Sequence, residues 1–185
     1  MKLLLNVLLL LCTLFSSAQS GKNGEDILKQ LLAKQKESIG KPLPEFAIKT
    51  GDSVLTNQSL KGKTVFINFW FEACPPCIIE LDGLNELYTK TKDQQDFAFL
   101  SFTFEKPEKC SEMRKKYNLQ YPIISITREE CYLLNGKNGF PTNLLLDKSG
   151  VVHHLASGGA MTKKEATAFL MTEFYARILQ LLQVK

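Results

Sequence analysis

The sequence lacks several features that would place it in a large functional class. Beyond residue 20, no apolar run is long enough to cross a bilayer. The formal net charge is only +4, from 23 basic and 19 acidic residues, and both signs are mixed along the chain. So small an excess does not indicate a nucleic-acid partner, and we expect none. Internal repeats, low-complexity tracts and nucleotide- or flavin-binding motifs are also missing, so we expect no cofactor.

What remains is the composition of an ordinary globular protein. The chain has 185 residues, of which 44% are hydrophobic and 23% are charged. This length suits a single domain with a sizeable core.

The N-terminus has the pattern of an export signal. A basic Lys2 is followed by an apolar run and then by small residues up to Ser20. This order predicts a signal peptide that is cleaved after Ala18, with Ser20 as the alternative. Cys12 suggests a lipoprotein signal, but Leu11 before it is not the small residue that lipid attachment prefers. We therefore expect an exported, soluble protein rather than a lipid-anchored one.

The central stretch of the chain places two cysteines at the start of a helix. Residues 65–70 form an almost unbroken apolar run, which is typical of a strand buried on both faces. Cys74-Pro75-Pro76-Cys77 follows, and then apolar residues recur at helical spacing. Backbone N–H groups at a helix N-terminus stabilise a thiolate at Cys74. Cys77, one turn later, is close enough to displace a mixed disulfide formed at Cys74.

The two prolines affect the same turn. Each fixes its own φ and removes an N–H donor, and both are tolerated in the first turn of a helix. They stiffen the loop between the cysteines.

This cysteine pair has three possible roles, and the sequence favours redox exchange. A metal site needs more ligands, and the other candidates lack the spacing of a zinc ribbon or finger; these are Cys110, Cys131, His153 and His154. An inert structural disulfide is the third reading, but a bridge across four residues closes almost no chain.

An ordered set of motifs resembles the thioredoxin fold, and specifically the exported TlpA/ResA-like thiol–disulfide oxidoreductases of the AhpC/TSA–thioredoxin-like superfamily. The matching pieces are GKPLPEF at 40–46, LKGK at 60–63, NFW at 68–70, CPPCIIE at 74–80 and GFPT at 139–142. The resemblance implies an α/β fold with a central mixed β-sheet flanked by helices and an added N-terminal β-hairpin. We expect a signal peptide at 1–18, a leader with a short helix at 19–38, and the thioredoxin-like domain at 39–185.

The resemblance also implies the roles of site residues. Cys74, Cys77 and Glu80 are the expected catalytic residues, with Glu80 exchanging protons with Cys77; the alternative is a surface glutamate in the first helical turns. The expected substrate-contacting residues are Phe140, Pro141, Trp70, Pro75 and Pro76. Pro141 is expected to follow a cis peptide bond and to face the cysteines, the alternative being an ordinary trans turn.

Some positions depart from the family pattern or stay open. Ala73 stands where relatives often have tryptophan, and Glu72 places a negative charge near Cys74. Asp82 stands where relatives have a proline, while Gly83 in the helix interior costs about 1 kcal/mol relative to alanine. Cys110 and Cys131 are expected either to form a second disulfide or to stay as unpaired small hydrophobic side chains.

The sequence therefore predicts an exported enzyme that reduces protein disulfides through Cys74 and Cys77. The resemblance implies cytochrome c maturation or similar thiol maintenance, a membrane thiol-transfer protein as electron donor, and a monomer. The alternatives are a disulfide-donating oxidase of the same fold and a non-catalytic metal-binding or interaction module. A peroxidase of the related peroxiredoxin type would need a threonine three residues before its reactive cysteine, where this chain has Phe71.

Overall fold

The computed structural model describes residues 26–30 and 32–184, so the predicted signal peptide and its cleavage site lie outside the described residues. The leader contains a helix, α1, over residues 26–30 and 32–38, and residues 37–185 form one compact unit. In the part of the chain that the structure describes, none of the helices combines the length and the apolar character that crossing a membrane requires.

The compact unit, as far as the structure describes it, contains seven strands, together with the helices that connect and flank them. Its elements are β1 (Ala47–Thr50), β2 (Ser53–Thr56), α2 (Asn57–Leu60), β3 (Thr64–Trp70), α3 (Pro75–Thr91), β4 (Phe97–Thr103), α4 (Pro107–Lys116), β5 (Ile123–Ser125), α5 (Arg128–Leu134), β6 (Thr142–Leu146), β7 (Val152–Ser157), α6 (Lys163–Phe169), a π-helical segment (Leu170–Tyr175) and α7 (Ala176–Gln183).

The central sheet is mixed, with strand order β5-β4-β3-β6-β7. β3 pairs with β4 in parallel and with β6 in antiparallel orientation. β1 and β2 pair with each other in a separate two-stranded sheet, which is the predicted N-terminal hairpin. These pairings confirm the predicted central mixed sheet and N-terminal hairpin.

β3 has a core on each of its faces. All seven of its residues are buried, as the apolar run predicted. Because side chains alternate along a strand, Val65, Ile67 and Phe69 join the core that contains residues of α5 and the N-terminal hairpin. Phe66 points the other way, into a core with α3, the π-helical segment and α7. The carboxyl end of β3 is therefore held firmly where the cysteines follow.

The C-terminal helical region differs in one respect from its predicted pattern. The sequence Thr162-Lys163-Lys164-Glu165 predicts a capping box at the start of α6. It is present, with the Thr162 and Glu165 side chains each accepting the other's backbone N–H. The buried residues are Ala166, Leu170, Phe174 and Ile178. Helical spacing predicts that Phe169 belongs to the same core-facing stripe, but Phe169 is exposed. The wider π-helical turns bring every fourth residue to the same face, and Phe169 is thereby rotated away from it.

Gly83 marks the closest approach of α3 to α6. A Cβ atom built at this position would lie 2.9 Å from both Leu170 Cδ1 and Thr167 Cα. The absence of a side chain, which costs helical stability in isolation, therefore permits close packing of the two helices.

Candidate functional site

Cys74 and Cys77 are joined by a disulfide at the N-terminus of α3, with their Cα atoms 5.3 Å apart. Cys74 is the N-cap residue, and its sulfur accepts the backbone N–H of Cys77 at 3.3 Å. Cys74 retains 4% of its surface exposed and Cys77 retains none. Of the two cysteines, Cys74 is therefore the more exposed.

The prolines shape the turn between these cysteines. Pro75 begins α3 and is exposed, whereas Pro76 is half-buried. The backbone of Gly159, in the loop after β7, lies so close to Pro76 that a Cβ on Gly159 would collide with the proline ring. The active-site turn is thus supported from the side by a glycine in a distant part of the sequence.

Glu72 is paired with a basic side chain of α4. Its carboxylate forms an ion pair with Lys109 at 3.3 Å, and Lys109 also contacts Glu112 at 2.9 Å. The negative charge expected to oppose a thiolate at Cys74 is therefore matched by a lysine on α4.

Glu80 lies inside the protein, one helical turn after Cys77, and is 4% exposed. Its Oε1 accepts a hydrogen bond from Asn68 Nδ2 at 2.8 Å, and its Oε2 accepts one from Asn143 Nδ2 at 3.1 Å. Burial raises the pKa of Glu80 to about 8, while the hydrogen bonds from Asn143 and Asn68 act in the opposite direction. A carboxyl group with this pKa can take up or release a proton near neutral pH.

Phe140 and Pro141 are joined by a cis peptide bond, as the resemblance implied. Phe140 packs against the cluster that contains both cysteines, Trp70 and Met113. The ring and the disulfide therefore share one surface.

An aromatic cluster surrounds Phe140 at the same edge of the sheet. Phe71 and Phe104 follow the ends of β3 and β4 and stack at 5.2 Å, and each contacts the Phe140 ring edge-on. Tyr132 of α5 contacts Phe140 at 5.5 Å, and the Arg128 guanidinium lies 4.1 Å above the Phe104 ring. The four rings are only half-buried, so this surface can receive an apolar side chain.

The position of Trp70 differs from the expected one. It was predicted to contact substrate, but its side chain is entirely buried and its indole N–H donates to Ser101 Oγ at 2.8 Å. Because β3 alternates its faces, Trp70 points under the cysteine pair rather than toward solvent.

Cys110 and Cys131 are free, buried thiols in the structure, the unpaired state of the two that the sequence left open. Burial raises the pKa of Cys110, and it raises the pKa of Cys131 to about 12. Both groups are therefore thiols rather than thiolates at neutral pH. The described residues contain no group of three or more His, Cys, Asp or Glu side chains placed to hold a metal ion.

Sequence reasoning missed the polar partners of Glu80 and most of the aromatic cluster. Asn68 interrupts the apolar run of β3, and Asn143 directly precedes the apolar run of β6. These two polar positions are the only signals of the Glu80 partners in the sequence. Phe71, Phe104 and Tyr132 are separated in sequence and are brought together only by the parallel pairing of β3 with β4 and by the position of α5.

Comparison with known proteins agrees with this geometry. The model of the AhpC/TSA family matches residues 39–155. The thiol–disulfide oxidoreductase ResA of Bacillus anthracis is 31% identical over 139 residues, which cover 74% of this chain and 79% of that protein. The thioredoxin-like protein YneN of Bacillus subtilis is 32% identical over 143 residues, or 75% of this chain and 83% of that protein.

Solved structures share the fold. A thiol:disulfide interchange protein of the thioredoxin family from Chlorobium tepidum superposes with a TM-score of 0.57 at 23% identity, covering 77% of this chain and 97% of that one. A thiol:disulfide interchange protein from Bacteroides sp. superposes with a TM-score of 0.56 at 19% identity, covering 71% and 88%. With a disulfide at the start of α3, a thioredoxin fold and relatives of this kind, the chain belongs to the AhpC/TSA family and is a thiol–disulfide oxidoreductase.

Proposed function

We propose that the protein is an exported reductant of protein disulfides that works through Cys74 and Cys77. The observation that carries the proposal is the exposure difference between two cysteines at one helix N-terminus, with a buried carboxyl group of raised pKa one turn further on. The signal-like N-terminus supports export, and the mature protein would begin after Ala18, with its thioredoxin-like domain at 39–185.

The exchange begins from the reduced protein. The Cys74 thiolate attacks one sulfur of a substrate disulfide, and the other substrate sulfur leaves as a thiolate. Cys77 then loses its proton to Glu80 and attacks Cys74 Sγ. This step releases the second substrate sulfur as a thiolate and leaves the Cys74–Cys77 disulfide. Two electrons pass to the substrate, whose thiolates take up protons from Glu80 or water.

The substrate surface is formed by the active-site turn and the aromatic cluster. Phe140 offers its backbone to an extended segment that pairs with it like a strand. Pro75 and Pro76 line the side of the turn, and Pro141 lies beside Phe140. The half-buried rings of Phe71 and Phe104 receive an apolar side chain near the substrate cysteine.

Reduced protein must be regenerated after each cycle. A membrane thiol-transfer protein is the proposed electron donor, since small soluble reductants are not maintained in oxidising compartments. Cytochrome c maturation or similar thiol maintenance would be its context, and the protein would act as a monomer.

The test is the reduction potential of the Cys74–Cys77 pair, titrated in thiol buffers with mass mapping of the modified cysteines. We expect a value toward that of thioredoxin, about −270 mV. A Cys110→Ser, Cys131→Ser double variant serves as the control and should give the same value. A potential near that of a strong oxidant, about −120 mV, would make the protein a disulfide donor instead.

A further inference from the structure

A row of polar side chains crosses the central sheet beneath Glu80. Ser101 on β4, Asn68 on β3 and Asn143 on β6 occupy directly paired positions on neighbouring strands. All three are buried. Buried polar groups destabilise a fold unless they are hydrogen-bonded, so a row of three in an otherwise apolar layer requires an explanation.

The row forms a hydrogen-bond chain with one direction. The Trp70 indole N–H, which can only donate, bonds to Ser101 Oγ at 2.8 Å. The Ser101 hydroxyl donates in turn to Asn68 Oδ1 at 3.4 Å. The Asn68 amide N–H groups are thereby directed to Glu80 Oε1 and to Asn143 Oδ1, both at 2.8 Å.

Asn143 completes the arrangement. Because its Oδ1 accepts from Asn68, its Nδ2 is directed to Glu80 Oε2 at 3.1 Å. Each carboxyl oxygen of Glu80 therefore meets one N–H donor, and the carbonyl oxygens of both asparagines already accept other hydrogen bonds. A carboxylate satisfies both donors, whereas the added hydrogen of a carboxylic acid would face asparagine groups that donate rather than accept.

We propose that Ser101, Asn68 and Asn143 are positioning residues that direct two amide donors at Glu80 and so keep its carboxylate available to accept the Cys77 proton. The proposal rests on the role given to Glu80 in the proposed function. The covalent step is the one described above: the proton moves from Cys77 Sγ to a Glu80 oxygen, and the sulfur electron pair then forms the bond to Cys74 Sγ while the bond to the substrate sulfur breaks.

Other titratable groups near Glu80 have distinct positions. Cys77 lies one turn earlier on α3. Tyr121, which follows α4 in the chain, is buried, and burial first and the Glu80 charge second raise the pKa of its hydroxyl well above the usual value. Asp82 and Lys163 form an exposed ion pair at 2.8 Å between α3 and α6. On β7, the residue paired with Asn143 is Ala156, which does not titrate.

The direct test is to measure the pKa of Glu80 in the oxidised protein, by recording the NMR signal of its side-chain carboxyl carbon as the pH is varied. Asn68→Leu and Asn143→Leu each remove one hydrogen-bond donor to Glu80 and replace the asparagine with a side chain of similar volume. We expect each to raise the pKa of Glu80 by roughly one pH unit, since one hydrogen bond to the charged form is lost. Ser101→Ala should raise it by less, and Ser101→Thr, which keeps the hydroxyl, should restore the original titration.

Thr64→Val is the matched control. Thr64 lies on the same strand and the same face as Asn68, is buried, and its hydroxyl has no hydrogen-bond partner among the described residues. Its replacement should leave the Glu80 titration unchanged. If the asparagine variants fold, as judged by their amide spectra, and also leave that titration unchanged, the proposal is overturned.

A second readout tests the link to chemistry. In Asn68→Leu and Asn143→Leu the rate at which Cys77 resolves a mixed disulfide should fall about tenfold at pH 7 and recover at higher pH, following the altered ionisation of Glu80. A shifted titration with an unshifted rate profile would overturn the proton-acceptor role. If the native protein shows no thiol exchange at all, the proposed function fails, while the Glu80 titration still measures the effect of the asparagines.

Discussion

The two cysteines of one disulfide have different surroundings. Cys74 caps a helix and keeps a small exposed surface, whereas Cys77 is completely enclosed. The helix N-terminus favours negative charge on Cys74, and the buried carboxyl group favours proton removal from Cys77. These different surroundings support the proposed roles of Cys74 as the attacking and Cys77 as the resolving sulfur.

Replacing each cysteine separately should distinguish these roles. We expect Cys77→Ser to accumulate a stable mixed disulfide with a peptide disulfide substrate at Cys74, because nothing remains to resolve it. Cys74→Ser should form almost none, since Cys77 is buried. Mass spectrometry of non-reduced protein measures both. Equal trapping by the two variants would contradict the assignment.

The aromatic cluster should affect substrate binding more than redox chemistry. Phe104→Ala removes the ring that stacks on Phe71 and lies under Arg128. We expect KM for an apolar peptide disulfide to rise about tenfold, a loss of roughly 1.4 kcal/mol, within the range measured for buried aromatic contacts. The reduction potential should stay the same.

Phe169→Ala is the control for this experiment. Phe169 is an exposed phenylalanine of α6, distant in sequence from the cluster, and its loss should leave KM unchanged. A rise in KM for both variants would indicate a general loss of structure rather than a substrate surface.

The sequence reveals site residues that are close to one another along the chain, but not those that only the fold brings together. Cys74, Cys77 and Glu80 are neighbours on one helix, so spacing alone associates them. Asn68 and Ser101 are 33 residues apart, and Asn68 and Asn143 are 75 apart. Only the register of three strands brings this second group under Glu80, and register cannot be read from local patterns.

Helix α3 is constrained at several positions along its length. It carries the cysteines at one end, Glu80 inside, and Gly83 against α6. Lys163 of α6 also contacts Asp82, the residue that stands in place of the family's proline, at 2.8 Å. The side chain at position 82 therefore forms an ion pair with α6.

Adding one methyl group to α3 tests this close packing. Gly83→Ala should destabilise the protein by about 1–3 kcal/mol, because the new Cβ meets the backbone of Thr167 as well as Leu170. The usual gain in helix propensity is smaller than this cost. Urea denaturation measures the change in the free energy of unfolding. Glu86→Ala, an exposed change on the same helix, is the control and should alter it by less than about 0.5 kcal/mol.

The types and the order of the helices and strands were predicted well from the sequence, whereas the buried face of the C-terminal helical region was predicted poorly. The apolar run of β3 and the capping box before α6 are local signals, and both are confirmed. The π-helical segment has no such signal, because its wider turns depend on packing against β3 and α3. Ordinary helical periodicity therefore placed Phe169 on the wrong side.

For the whole molecule, burying Glu80 makes stability depend on pH. The pKa of this carboxyl rises from 4.5 to about 8 on folding, so the folded protein binds the proton more tightly than the unfolded chain. The resulting stabilisation is complete below the unfolded value and is lost as the pH rises through about 8. The loss is on the order of a few kcal/mol.

Glu80→Gln should flatten this dependence. We expect the difference in the free energy of unfolding between pH 5 and pH 8, measured by urea denaturation of oxidised protein, to be smaller in the variant. His154, whose pKa is lowered by burial, acts in the opposite direction in both proteins, so the comparison between them isolates Glu80. An unchanged pH dependence would mean that Glu80 is not protonated in the folded protein.

The position of Trp70 has a practical consequence. It is the single tryptophan of the chain, and its indole packs in the same cluster as both cysteines. A disulfide quenches the emission of an adjacent indole, and a dithiol does so far less. The native, unlabelled protein therefore carries its own optical reporter, and electron transfer into or out of the pair should be visible in real time as a change in intrinsic fluorescence.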